Sequence, residues 1–184
     1  PAPAPTPAKG ASSSSTPSEP IADDFKPAPS NQPGRDFPQV NSQGRVKFRI
    51  VAPEAKSVGV TFRDSAEFVK GADGAWIGHT RPLDEGFHYY SIKIDGAEVP
   101  DPNSNYYFGA NRWGSGVEVP AHDRDFYALK DVPHGQIREV YFPSKSTNTQ
   151  RRAFVYTPPD YDSAAATRYP VLYLQHGYGE NEYG

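Results

Sequence analysis

Between Asn41 and about Pro120, apolar residues return at every second position in short runs interrupted by turn residues, and this period restricts the fold more than any other feature of the chain. Val46, Phe48 and Ile50 alternate with Arg45, Lys47 and Arg49, and Val58, Val60 and Phe62 alternate with Ser57, Gly59 and Thr61. Successive side chains of a strand point to opposite faces, so each run offers one apolar face and one wet face. Ala72-Asp73-Gly74-Ala75 reads as a hairpin turn into a strand over 76–80. Asp95-Gly96 closes a second hairpin between strands expected at 87–94 and 97–99. Asp101-Pro102-Asn103 is expected to end the sheet, because proline lacks a ladder donor and Asp and Asn side chains satisfy local backbone groups. The period and the turn spacing give an all-β sandwich over 39–122, with no helix required.

The flanks differ in composition. Residues 1–38 hold ten of the twenty prolines, four consecutive serines and only two aromatics, Phe25 and Phe37. Such a stretch buries too little apolar surface to offset chain entropy, so it reads as a disordered tether, of the kind that separates modules of exported proteins. The first residue is Pro1, so the chain is not a raw translation start. After the turn-forming Asp131-Val132-Pro133-His134-Gly135, three strands are expected at 136–142, 151–156 and 171–175, the last a continuous apolar run suited to burial on both faces. These strands cannot close a core alone, so the module over 123–184 is read as incomplete, its C-terminal catalytic part missing.

Composition excludes several functions. With no cysteine there is no disulfide framework, thiolate zinc site or cysteine nucleophile. A net charge of -3 without a basic run leaves no electrostatic footprint for nucleic acid. No apolar stretch approaches the roughly 20 residues of a membrane span. His79, His88, His122 and His134 lack ligand spacing, so no metal site and no cofactor is expected.

Pro82-Leu83-Asp84-Glu85-Gly86-Phe87-His88-Tyr89-Tyr90-Ser91-Ile92-Lys93-Ile94-Asp95-Gly96, followed by Val99-Pro100-Asp101-Pro102-Asn103, resembles the early-set immunoglobulin-like domains of carbohydrate-binding module family 48. The later stretches, Val132-Pro133-His134-Gly135-Gln136 onward, Arg151-Arg152-Ala153-Phe154-Val155-Tyr156-Thr157-Pro158-Pro159-Asp160-Tyr161 and Tyr169-Pro170-Val171-Leu172-Tyr173-Leu174-Gln175-His176-Gly177, resemble the opening of an esterase-D-like α/β-hydrolase. Feruloyl and acetylxylan esterases of carbohydrate esterase family 1 and enterochelin esterases open this way, and the module order favours the first group. The fold expected is therefore an Ig-like sandwich followed by the truncated start of an α/β-hydrolase domain.

An α/β-hydrolase holds its acyl oxyanion on two backbone N–H groups, one of them from the loop after the third strand. His176, Gly177, Tyr178 and Gly179 occupy that place, and their glycines permit close approach and positive φ. The resemblance gives His176 a loop-shaping role, not that of catalytic base. The nucleophile should stand in G-x-S-x-G, which does not occur; Ser115, in Trp113-Gly114-Ser115-Gly116-Val117, comes nearest and fails. The chain alone is expected to be inert.

Sugar rings stack their C–H faces on flat side chains while polar groups at the rim bind hydroxyls, which singles out Tyr106, Tyr107, Asn111, Arg112 and Trp113, clustered after the Asp101-Pro102 corner with Trp113 in a loop-like context, as candidate carbohydrate contacts. Trp76, between Ala75 and Ile77, is expected in or beside the core. The leading expectation is an exported serine ester hydrolase, secreted, periplasmic or on the cell surface. It would cleave feruloyl or acetyl esters of xylan-type hemicellulose, with α-glucan as a second glycan for the sandwich. The alternatives are a siderophore (enterochelin-type) esterase and a stand-alone glycan-binding or adaptor module.

Overall fold

A computed structural model describes residues 20–62, 67–164 and 166–183. The alternating runs become strands with the expected faces. In β3 (Val46–Val51) Val46, Phe48 and Ile50 are buried while Lys47 and Arg49 stay partly wet. Preceding it are β1 (Lys26–Pro27) and β2 (Gln39–Val40); following it are β4 (Val58–Val60), β5 (Val69–Lys70) and β6 (Ala75–His79). One antiparallel sheet runs in the order β1-β2-β3-β6-β5.

The second layer comes from β4 and the strands after β6. A single strand was expected over 87–94, but the chain breaks at Ser91 into β7 (Gly86–Tyr90) and β8 (Ile92–Ile94). The two halves serve different sheets, because Ser91 N–H donates to Thr61 Oγ1 (2.8 Å) and Ser91 O accepts Thr61 N–H (3.0 Å). This exchange turns the chain, so that β8 pairs β4 and β9 (Ala97–Val99) while β7 pairs a later strand. The Asp95-Gly96 hairpin forms as expected, with φ of 49° and 88° in its two-residue turn.

Asp101-Pro102-Asn103 is a corner and does not end the sheet: β10 (Tyr106–Gly109) and β11 (Arg112–Val119) follow, in the order β10-β11-β7. Asp101 makes the corner by accepting Asn103 N–H on Oδ1 (2.8 Å) and the Tyr90 hydroxyl on Oδ2 (2.7 Å). Between the layers lies a core of Val40, Val46, Phe48, Ile50, Val60, Tyr90, Ile92, Val117 and Val119. Trp76 packs at its margin with Nε1–H donating to Ala52 O (3.0 Å). The described residues are all-β apart from a 3-10 turn, η1 (Arg124–Phe126), consistent with an Ig-like sandwich.

The expected tether over 1–38 needs correction. Residues 1–19 lie outside the described residues, but 20–38 are folded onto the sandwich. Ala28 and Ser30 are buried, Ser30 Oγ accepts Glu118 N–H (3.2 Å), Gln32 N–H donates to Asn103 O (2.8 Å), and Asn31 bridges Ser104. Proline-rich backbone is extended already and lies along an edge at little entropic cost, so low apolar content did not prevent docking.

Beyond the sandwich, β12 (Gln136–Ser144) and β13 (Thr149–Thr157) form where two strands were expected, but as a nine-pair antiparallel hairpin. The third expected strand does not form: 171–175 is irregular and exposed, and it pairs with no strand among the described residues.

Candidate functional site

The β10–β11 hairpin and the loop 176–183 meet, bringing the two groups of candidate residues to one place. Ala110 and Asn111 form the two-residue turn of the hairpin, both with left-handed φ (52° and 63°). That conformation matches the twist of a tight hairpin, and Asn tolerates it better than Ala. From this tip Asn111 N–H donates to Gly179 O (2.6 Å). Gly179 has φ 78°, and a Cβ there would lie 3.3 Å from Ala110 Cα, so the contact is built on a glycine.

Trp113, expected in a loop-like context, instead stands with Arg112 at the start of β11. The pattern Trp113, Ser115, Val117, Val119 holds the period that could have revealed this. The hairpin separates the candidate aromatics. Trp113, half exposed at 51%, packs edge-on against Phe108 (5.5 Å) and tilts onto Tyr183 (5.5 Å). Tyr107 instead meets Phe87 (4.6 Å), which meets Tyr89 (5.0 Å), and these three line the outer face of the sheet. Phe87 and Tyr89 were missed, although Phe87-His88-Tyr89-Tyr90 alternates so that two aromatics must face out. Their rings pack against strand glycines: a Cβ on Gly116 would stand 2.0 Å from Phe87 Cζ, and one on Gly109 2.4 Å from Tyr89 Cζ. Tyr106 is exposed, and Arg112 faces Glu98 (3.6 Å). Ser115 is fully buried with its Oγ accepting Asp101 N–H (2.6 Å), a structural role.

The loop is held from two sides. Within it, Gly177 N–H donates to Glu180 Oε2 (3.2 Å), Glu180 N–H to Gly177 O (3.3 Å), and His176 Nδ1 lies 2.9 Å from Gly177 O. On the sandwich side, the Tyr89 hydroxyl donates to Phe108 O (3.0 Å), and partial burial, then the nearby Glu180 carboxylate, push its ionisation up. On the other side stands Arg152 of β13. Its Nε and Nη2 both reach Glu182 Oε1, its Nη1 reaches Glu139 Oε1 (3.2 Å), and its guanidinium lies 4.6 Å over the Tyr183 ring. Glu182 is held below the usual carboxylate range, first by its own backbone N–H and then by Arg152, while Glu182 pushes Arg152 further up.

The site gathers backbone donors, flat aromatic rings and an ion cluster, but no nucleophile. Histidine ring contacts among the described residues go to backbone carbonyls or, for His122, to Glu85 Oε2 (2.8 Å), and none to a serine hydroxyl. Among the described residues no group of three His, Asp or Glu could hold a metal ion, and no helix is long and apolar enough to cross a membrane.

No protein-family model matches the chain. Over 169 residues, 87% of this chain, it is 50% identical to an endo-1,4-beta-xylanase/feruloyl esterase of Xylanibacter ruminicola. The chain spans 23% of that relative's length.

Proposed function

We propose that this chain is the N-terminal part of an exported serine ester hydrolase that releases feruloyl or acetyl groups from xylan-type hemicellulose. The observation that carries the reading is the 50% identity to a relative named as a xylanase and feruloyl esterase. The chain would then comprise two modules of the parent enzyme, the sandwich and, from about residue 123, the opening of a hydrolase domain. Serine, acid and histidine would come from the later part of that parent enzyme, in the order usual for an α/β-hydrolase.

In that enzyme an activated serine attacks the ester carbonyl, and the negative charge moves onto the carbonyl oxygen. The loop bearing Gly177, Tyr178 and Gly179 would offer a backbone N–H to that oxygen. The Gly177 N–H is turned onto the Glu180 carboxylate, while those of Tyr178 and Gly179 donate to no group among the described residues and are the ones free to serve. Phe87, Tyr89 and Tyr107 present an outer aromatic face suited to sugar rings, whereas Trp113 is engaged by Tyr183. The proposed sugar contacts are therefore Tyr107 with Phe87 and Tyr89, and Trp113 serves the contact with the loop.

The test is an assay of the full-length gene product on insoluble arabinoxylan and on acetylated xylan, with released ferulate and acetate quantified. Release of either supports the reading. Cleavage of a cyclic triester siderophore with neither product overturns it in favour of the siderophore esterase. Retention on xylan with no ester cleaved overturns it in favour of a glycan-binding module.

A further inference from the structure

We propose that Arg152 is a positioning residue, which seats the loop carrying Gly177, Tyr178 and Gly179 against the tip of the β10–β11 hairpin. Its geometry is independent of the function proposed above; only its catalytic consequence rests on that reading.

The loop has little structure of its own. Among the described residues its backbone bonds are the turn between Gly177 and Glu180 and the one link from Asn111. A segment with so few internal bonds keeps one position only if its side chains are gripped. Arg152 grips two consecutive ones. Its fork closes on Glu182 Oε1 while its flat face covers Tyr183, and Tyr183 in turn packs on Phe154 (5.0 Å) and Trp113 (5.5 Å). The guanidinium is itself steadied from behind: Glu139 Oε1 accepts from Nη1 and also from the Tyr141 hydroxyl (2.7 Å). Both Arg152 and Glu182 side chains are about three-quarters covered, at 27% and 25% exposure, which sets the pair apart from the open ion pairs elsewhere on the molecule. The chain of contact thus runs from β13 through Glu182 and Tyr183 to Trp113 in β11, two residues along the same hairpin from Asn111, which makes the Gly179 link. Lysine could supply the charge but neither the fork nor the stacking face.

Trp76 and Trp113 are the only tryptophans of the chain, so in a Trp76→Phe background Trp113 reports directly on whether Tyr183 covers it. In the 184-residue chain on that background, Arg152→Ala and Glu182→Gln should each red-shift Trp113 emission and raise its acrylamide quenching towards that of a free indole. Arg152→Lys should fall between. In the full-length gene product the same changes should lower kcat by about 10- to 100-fold with KM little altered, as expected when oxyanion donors are misplaced by an ångström or less. Glu182→Gln keeps shape and removes only charge, so it decides the matter should Arg152→Ala fail to fold. An unmoved Trp113 signal in Glu182→Gln overturns the proposal, as does full activity in a variant whose Trp113 has been released. A full-length protein with no esterase activity at all would overturn the function proposed above, while the Trp113 signal would still decide the role of Arg152.

Discussion

Tyr90 sits where core packing and polar satisfaction meet, its ring 5.2 Å from Phe48 and its hydroxyl on the buried Asp101 carboxylate. Burial, and after it the Asp101 charge, push its ionisation far above the usual tyrosine range, so it stays neutral wherever the protein is folded. Replacing Asp101 by Ala strands the Tyr90 hydroxyl, the Asn103 N–H loses its acceptor, and stability should fall by about 2–3 kcal/mol in urea unfolding. On the surface, Glu85 raises His122 by its hydrogen bond and its charge, while His122 holds Glu85 below the usual range. His122 therefore adds stability that is complete below its unfolded value and fades as pH rises through its raised folded value. Glu85 adds stability above its unfolded value that fades as pH falls through its lowered one. The contribution of the pair to stability is complete between the unfolded values of the two groups, from about pH 5 to 6.5. An NMR titration should place the His122 midpoint above the ordinary histidine value, and Glu85→Gln should bring it down towards that value, with the Asp123 charge still holding it up. Period two made Phe48, Val46 and the marginal place of Trp76 legible, because burial of alternate residues is a local rule. The partner of each polar group was not, since Tyr90 and Asp101 meet only because the β8–β9 hairpin between them folds back.

Hairpins show the same division among elements. Asp95-Gly96 could be read directly, being the residue pair that a two-residue turn requires. Ala110-Asn111 makes an equivalent turn with a poorer residue at its first position, so the sequence does not announce the hairpin that puts Trp113 in a strand. An Ala with left-handed φ carries strain of about 1–2 kcal/mol, partly offset by the extra chain entropy glycine loses on folding. Ala110→Gly should accordingly raise stability by about 0.5–1 kcal/mol, seen as a higher urea midpoint at unchanged slope. The sequence marks the break at Ser91 only by Tyr89-Tyr90, where the apolar positions of 87–94 shift from odd to even numbers, and such a shift does not say where the chain leaves the sheet. The break depends on Thr61, thirty positions earlier, taking both backbone bonds of Ser91.

Across the whole molecule, the described residues beyond the sandwich expose much apolar surface. Leu172, Tyr173 and Leu174 are 85–91% exposed, and Val171 beside them is 71% exposed. A contiguous apolar run with free backbone donors invites pairing between molecules. Replacing Leu172 and Leu174 by Lys should raise the concentration at which the 184-residue chain begins to scatter light, with the urea midpoint unchanged; a lowered midpoint would show that these side chains support the fold. Docking of 20–38 was equally hidden, because Ser30, Asn31 and Gln32 find their partners at Glu118, Ser104 and Asn103, some seventy to ninety residues away. The sequence by itself determined the strand faces, most of the turns and the glycine-bearing loop at 176–179, since these follow from side-chain alternation and from φ angles that few residues adopt. Tertiary structure alone decided which strands pair, where the chain passes between sheets, and that Trp113 meets Tyr183 while Phe87 and Tyr89 face outward. Those outcomes rest on contacts between distant residues, whose closure entropy and geometry no local pattern encodes.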